Sequence, residues 1–200
     1  MNPTSPIEVS NIIKNLDTKK TLGPNSIPIF ILNVNNDFFS DNLSKMINLT
    51  FESGIFPDLC KVAKVTPVFK SGNENLCENF RPISLLPIYS KIYEKVMYSR
   101  IYGFLTKKNL IYNKQFGFRS NYSTNHAIIS LTEEIKTYLD SGHMVGGIFL
   151  DLKKAFDTIN HGILIDKLYR YGFRGITNKL LQSYLENRNN LYLLMVMTLI

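Results

Sequence analysis

The chain is predicted to be an α+β protein, helix-rich with a few antiparallel strands, on three observations. Long stretches repeat apolar residues every three or four positions, the period of a helix with one buried face. Two shorter runs, 61–70 and 144–150, are rich in Val, Thr, Ile or Phe, and a third, 81–85, can return to pair with the first. Apolar residues make up 44% of the 200 and charged residues 20%, which is enough to build a core and too little charge for a wholly disordered chain. No repeat, heptad or low-complexity tract points to another class.

The elements follow in order. Ser5-Pro6-Ile7-Glu8 offers an N-cap serine, a proline at the first helical position and a glutamate where a capping box wants one. Ile12, Ile13 and Leu16 then give an apolar face, so a helix to about Leu16 is expected. Leu22-Gly23-Pro24-Asn25-Ser26-Ile27-Pro28 reads as a turn into a short helix. Residues 38–53 place Leu43, Met46, Ile47 and Thr50 at helical spacing and stop at Gly54. Lys61 to Lys70 reads as a strand, at a sheet edge because Pro67 cannot donate to a ladder. Ser71-Gly72-Asn73 is a turn, and Arg81 to Leu85 the returning strand. Pro87 opens a helix with Ile88, Ile92, Val96 and Ile101 on one side. Ser123 caps another, with Ile128, Leu131, Ile135 and Leu139 facing inward and Gly142 ending it. Met144 to Leu150 is expected to be a strand buried on both faces. Residues 160–171 and 177–187 read as helices separated by Gly172 and Gly175.

Net charge is +7, and it is unevenly placed. Residues 61–120 carry eleven Lys or Arg against three acids, a local +8, while the rest of the chain is close to neutral. That distribution suits a polyanion partner, with a solvated basic surface as the plain alternative. Cys60 and Cys77 match no zinc spacing and suggest no disulfide framework, so a reduced intracellular compartment is expected. His126, His143 and His161 are too scattered for a zinc site and read as surface or cap residues. Glu133-Glu134 falls on a helix with Lys136 and reads as a solvated face. The amino terminus lacks an apolar signal core, and Leu191–Ile200 is too short to span a bilayer, so no membrane partner is expected.

The segment with most chemistry is Ile148-Phe149-Leu150-Asp151-Leu152-Lys153-Lys154-Ala155-Phe156-Asp157. A carboxylate at the tip of a buried strand is costly unless it binds a metal or a partner, which makes Asp151 a candidate metal ligand. The alternative is a strand-end aspartate capping the next helix. Asp157 is a poor second ligand: along a continuous strand it would lie roughly 20 Å from Asp151. Lys70 and Arg81, on paired strands, are candidate phosphate ligands or solvent-facing charges. Gln115-Phe116-Gly117-Phe118-Arg119 reads as an aromatic turn before a capped helix.

The run around Asp151 closely resembles the first catalytic motif of reverse transcriptases of LINE-type (non-LTR) retrotransposons. Thr66-Pro67-Val68-Phe69-Lys70 with Phe80-Arg81-Pro82-Ile83-Ser84-Leu85-Leu86 resembles the fingers of that family. Gln115–Arg119 with Ser123 and Thr124 is similar to its next motif, and Gly23–Pro28 to its amino-terminal extension, although Asn25-Ser26 stands where Asp-Gly is usual. Tyr184-Leu185 and Arg188 also sit where the family has them, so the likeness covers residues 5–188. It implies a partial right-hand polymerase fold: an N-terminal helical extension at 1–57, fingers at 58–142, the start of the palm at 143–190 and a divergent apolar tail at 191–200.

The resemblance also implies roles. Asp151 is the catalytic metal ligand, Lys70 and Arg81 grip the triphosphate, Ala155 lies beside it, and Phe156 is the gate under the sugar. Gln115, Phe116, Gly117, Phe118 and Arg119 position template and nucleotide. The implied partners are an RNA template, a DNA primer and deoxynucleotides, the cofactor two Mg²⁺ ions, and the location nucleus and cytoplasm.

The family's later Gly-x-Pro-Gln-Gly and aromatic-Ala-Asp-Asp motifs do not occur in these 200 residues, and no Asp-Asp pair does. With Asp151 as the lone carboxylate, Mg²⁺ should bind weakly or not at all, and the chain alone is expected not to polymerise. The Met144–Leu150 strand should have an unpaired edge. The alternatives are a non-catalytic basic nucleic-acid-binding module and an unfolded product of a decayed element.

Overall fold

The computed structural model describes residues 1–17, 21, 23–152, 155 and 158–192. They form α1 (Pro6–Lys14), α2 (Ile29–Val34), α3 (Asn36–Ser53), β1 (Val62–Phe69), β2 (Phe80–Leu85), α4 (Ile88–Lys107), α5 (Thr124–Asp140), α6 (His161–Arg170), α7 (Ile176–Leu185) and β3 (Asn189–Tyr192). The mixed helix and small sheet agree with the α+β prediction. Two compact units divide the chain: Met1–Ile101 with His161–Ile200, and Tyr102–Asn160.

The first unit holds the core. Val9 and Ile13 of α1, Leu32 of α2, Ile47 of α3, Ile88, Ile92 and Val96 of α4, and Leu180 of α7 are fully buried together with Phe56. Of these, Ile13, Ile47, Ile88, Ile92 and Val96 lie on the stripes that the helical spacing marks. Met46 is the exception in α3 and faces solvent. That helix ends at Gly54, whose φ of +69° is left-handed. A side chain there would also press on Ile176 O at 3.0 Å, so α7 packs against the bare glycine.

α1 begins as predicted: Ser5 Oγ accepts the Glu8 N–H at 3.2 Å. It is regular only to Lys14, short of Leu16. The second half of the capping box does not form, because Glu8 has a stronger partner. Arg100 of α4 donates from both terminal nitrogens to its carboxylate, at 2.8 and 2.6 Å. The same guanidinium donates to the carbonyls of Asn2 and Pro3, each at 3.1 Å. A fork that meets both carboxylate oxygens outcompetes one bond to a backbone N–H.

Arg100→Met is therefore expected to cost about 2 kcal/mol in urea unfolding, partial exposure of the pair limiting the loss. The Arg100 hydrogen bond is the main reason the Glu8 carboxyl lies below its ordinary value of 4.5. A depressed folded value stabilises above the unfolded one and is lost as pH falls through it. Melting temperature should thus drop below about pH 4.5 by a larger margin in the wild type than in Glu8→Gln. Identical acid limbs for the two proteins would show that the pair contributes nothing.

The sheet order is β2-β1-β3. β1 and β2 are antiparallel, with Thr66 opposite Ile83 and Val68 opposite Arg81. β3 runs parallel to β1, from Val62 opposite Asn189 to Val65 opposite Tyr192. The expectation of antiparallel strands alone is corrected: β3 arrives after α7, far along the chain, so no tight hairpin dictates its direction.

The edge position predicted for β1 is corrected too, since β1 is the central strand. Its proline is nevertheless accommodated without loss. Counting the alternation from Lys70 N–H to Asn79 O, 2.8 Å, makes Pro67 and Pro82 a non-hydrogen-bonded pair. Neither missing N–H is wanted by the partner strand. Pro67 also lies beyond the described pairing with β3.

The second unit departs most from expectation. Ser123 does cap α5, and His126 completes the box, its Nδ1 accepting the Ser123 N–H at 3.1 Å. The apolar stripe of α5 is not buried as predicted. Ile128, Leu131 and Leu139 are exposed and Ile135 is half-buried. Residues 144–150 form no strand, and Leu150 is 89% exposed where burial on both faces was expected. A strand exists only when another lies alongside it, and among the described residues none does.

Candidate functional site

Strand register decides which side chains can act together. Side chains alternate across a strand, so Lys64, Thr66, Val68 and Lys70 share one face with Asn79, Arg81, Ile83 and Leu85. Lys70 lies opposite Asn79, one rung from the Val68–Arg81 pair, which makes Lys70 and Arg81 diagonal neighbours. Both are exposed. The opposite face carries Phe69 and Phe80, edge to face with centroids 5.5 Å apart. The connecting turn is braced: Asn79 Nδ2 donates to Asn73 O at 2.8 Å, and Gly72 takes a φ of +96° beside that amide. Two cations on a stiff ribbon, with no acid on that face of the hairpin, can receive an extended polyphosphate.

The Gly23–Pro28 turn buttresses the base of this ribbon. Ser26 Oγ accepts the N–H of Ile88, the first residue of α4, at 3.1 Å. Asn25 takes the left-handed conformation, φ +50°, which a short polar side chain tolerates. Gly23 lies flat on the Leu85–Leu86 backbone, leaving no room for a Cβ. This segment therefore sets how β2 passes into α4.

Gln115 to Arg119 form a self-bracing loop in the second unit. Arg119 Nη1 donates to the carbonyls of Tyr112, Asn113 and Gln115 at 3.3, 3.4 and 3.3 Å. Its guanidinium stacks on Tyr122, 4.1 Å from the ring centroid. Gln115 Nε2 donates to Gly117 O at 3.2 Å, and Phe116 packs edge to face on Tyr122. Arg119 thus holds the loop together, and the side chain presented outward is Phe118, 85% exposed at a φ of +60°. A bulky residue in that conformation is strained, and the Arg119 clamp supplies the constraint.

Asp151 and Ala155 are exposed, and Phe156 lies outside the described residues, as does Asp157. The desolvation argument for Asp151 therefore lapses, because water reaches the carboxylate. Among the described residues no three His, Cys, Asp or Glu side chains gather to hold a metal. One solvated carboxylate does not fit a resident pair of Mg²⁺ ions.

Sequence patterns missed a cluster that ties α7 to α4. Tyr184 Oη donates to Glu94 Oε1 at 2.8 Å, and Arg188 Nη2 lies 3.6 Å from the same oxygen. The Arg188 guanidinium also stacks on the Tyr184 ring at 4.0 Å. Burial, then the Glu94 charge, pushes the Tyr184 hydroxyl up to about 12 and the Cys60 thiol up to about 11. Both stay protonated at neutral pH. The only sequence signal was the Tyr184-Leu185 and Arg188 spacing, which does not name Glu94.

The fold is α+β, with Lys70 and Arg81 exposed on one face of the ribbon in the first unit and Asp151 exposed after an apolar run in the second. A family model described as reverse transcriptase (RNA-dependent DNA polymerase) matches residues 68–197, and the chain belongs to that family. It is 32% identical over 93% of its length to the probable RNA-directed DNA polymerase from transposon BS of Drosophila melanogaster. It is 29% identical over 94% to that from transposon X-element, and 28% identical over 90% to the polymerase from mobile element jockey, both of the same fly. These relatives are polymerases of non-LTR retrotransposons. The chain spans about a fifth of their length, 21%, 21% and 20%. The family match runs to residue 197 and so takes in most of the 191–200 segment, which the sequence alone set apart.

Proposed function

We propose that this chain is part of an RNA-directed DNA polymerase of a non-LTR retrotransposon and supplies its triphosphate grip. The extension would occupy 1–57, the fingers 58–142 and the start of the palm 143–190, in a partial right-hand arrangement. The observation that carries the reading is the β1–β2 register, which sets Lys70 and Arg81 as diagonal neighbours on one face. Family membership adds an RNA template, a DNA primer and deoxynucleotides as partners, and divalent metal as cofactor. Asp151 would be one metal ligand, with Ala155 and Phe156 beside the nucleotide and Gln115–Arg119 beside the template. Of that last group, Phe118 is the most exposed side chain. The expected location remains nucleus and cytoplasm, by resemblance to the family. Among the described residues no helix is long and apolar enough to cross a membrane.

The test is binding of a fluorescent deoxynucleoside triphosphate to the 200-residue chain. Lys70→Ala/Arg81→Ala should weaken it about a hundredfold, two charge-assisted contacts being lost. Unchanged affinity would remove the ribbon from the nucleotide site. By itself the chain is expected not to extend a primer; extension abolished by Asp151→Ala would overturn that expectation. The second reading is a basic module that only binds nucleic acid, favoured by the solvent-exposed Asp151, with no metal-holding cluster among the described residues. Its mark would be strongly salt-dependent RNA affinity without measurable nucleotide affinity.

A further inference from the structure

Lys70 is offered from a stretch of backbone that β1 no longer holds. The strand ends at Phe69, and the last rung is the Lys70 N–H, donated to Asn79 O at 2.8 Å. Arg81 follows Asn79 by two positions, in β2. Both cations of the ribbon are therefore referenced to Asn79, Lys70 through its carbonyl and Arg81 through the chain itself.

What holds Asn79 is its own side chain. Residues 71–78 are all exposed, whereas Asn79 is half-buried. The loop closes on itself by short turns: Leu76 N–H to Asn73 O at 3.2 Å, Asn75 N–H to Asn73 Oδ1 at 2.9 Å, and Asn79 N–H to Leu76 O at 3.0 Å. The bond that reaches across it runs from Asn79 Nδ2 to Asn73 O, 2.8 Å. The same amide lies on Gly72, where a Cβ would fall 2.8 Å from Nδ2. Among the described residues, no hydrogen bond or ion pair joins 71–78 to any part of the molecule beyond 70–80. The tip is thus kept in shape from within, and one amide spans it.

We propose that Asn79 is the positioning residue of the triphosphate grip. Its amide holds the 71–78 loop so that Lys70 keeps its place diagonal to Arg81 before a nucleotide arrives. A site already in its receptive shape avoids the ordering cost that a loose loop incurs on binding. The Nδ2 group is committed to Asn73, so Asn79 acts through Lys70 and not on the phosphates. The ligand rests on the polymerase reading; the brace rests on the bonds of the loop.

The experiment is a double-mutant cycle on the whole 200-residue chain, read by affinity for a fluorescent deoxynucleoside triphosphate. Asn79→Ala should weaken binding about fivefold, because the loop and the Lys70 side chain must then be ordered on binding. In a Lys70→Ala background the same change should weaken it by no more than about 1.5-fold. Gly72→Ala, which pushes the amide aside, should match Asn79→Ala. Amide exchange gives a readout that needs no nucleotide. The Lys70 N–H should exchange about tenfold faster in Asn79→Ala, while the Val68 N–H, opposite Arg81 inside the ladder, keeps its rate. The melt should stay at the wild-type temperature, since the tip lies outside the buried core. A lowered melt with quickened exchange at Val68 would mark a merely structural role and overturn the assignment. Equal weakening with and without Lys70 would overturn it too. If Asn79→Ala binds as wild type while Lys70→Ala/Arg81→Ala binds weakly, the assignment fails and the grip stands. If that double variant binds as wild type while Lys70 exchange still quickens in Asn79→Ala, the grip itself fails, and Asn79 only shapes the turn.

Discussion

Gly23→Ala is expected to destabilise the chain by about 3 kcal/mol, at the upper end for inserting one methyl into a packed site. The added Cβ would fall inside van der Waals contact of the Leu86 carbonyl group and 2.5 Å from Leu85 O. These are backbone atoms and cannot rotate away, so the segment must lift off the ribbon base. Lifting it removes the Ser26 cap from the Ile88 N–H, 3.1 Å in the intact chain. Gly103→Ala is the control. It lies in α4 with nothing within 4 Å of the added carbon, so it should stabilise by about 0.5–1 kcal/mol through helix propensity. Urea midpoints of the two variants moving in the same direction would refute the close approach at Gly23.

Phe56→Ala should be more damaging, about 3–5 kcal/mol. Phe56 is fully buried, with its ring edge to face against Tyr93 at 5.7 Å and Tyr184 at 5.0 Å. Its backbone N–H donates to Ser183 Oγ at 3.0 Å, a contact spanning more than half the chain. Truncation opens a cavity under the Glu94–Tyr184–Arg188 cluster, and the rings around it cannot collapse without breaking that cluster. Against a total stability of about 5–15 kcal/mol, such a loss should leave a detectable unfolded fraction on mild heating. Leu59→Ala, at a side chain 81% exposed, should change stability by no more than about 0.5 kcal/mol. Equal losses at the two positions would mean that Phe56 is not the keystone its contacts imply.

Neither residue stood out in the sequence, for a physical reason. Phe56 sits between Gly54 and Pro57, in a segment with no period to reveal a buried face. Gly23 was visible as a turn residue, yet the reason for a glycine lies 62 positions away, in the Leu85–Leu86 backbone. The candidate site divides in the same way. Lys70 and Arg81 were legible because a hairpin is local, and the turn at 71–73 fixes which residues face each other. Arg119 was legible as part of a motif, but its clamp on the carbonyls of Tyr112, Asn113 and Gln115 was not. Asp151 was placed on a buried strand because an apolar run suggests one, and periodicity cannot supply the neighbour a strand requires.

What the sequence by itself determined is local: the Ser5 and Ser123 caps, the stop at Gly54, the β1–β2 hairpin, the apolar stripes of α1, α3 and α4, and the family motifs. Each depends on residues within about one turn or one hairpin of each other, where backbone geometry leaves few choices. Tertiary structure decided the rest. It gave Glu8 to Arg100 instead of its own helix cap, brought β3 in parallel, and left α5 and residues 144–150 exposed. An apolar pattern specifies which side of an element avoids water, but what covers that side depends on segments far away in the chain.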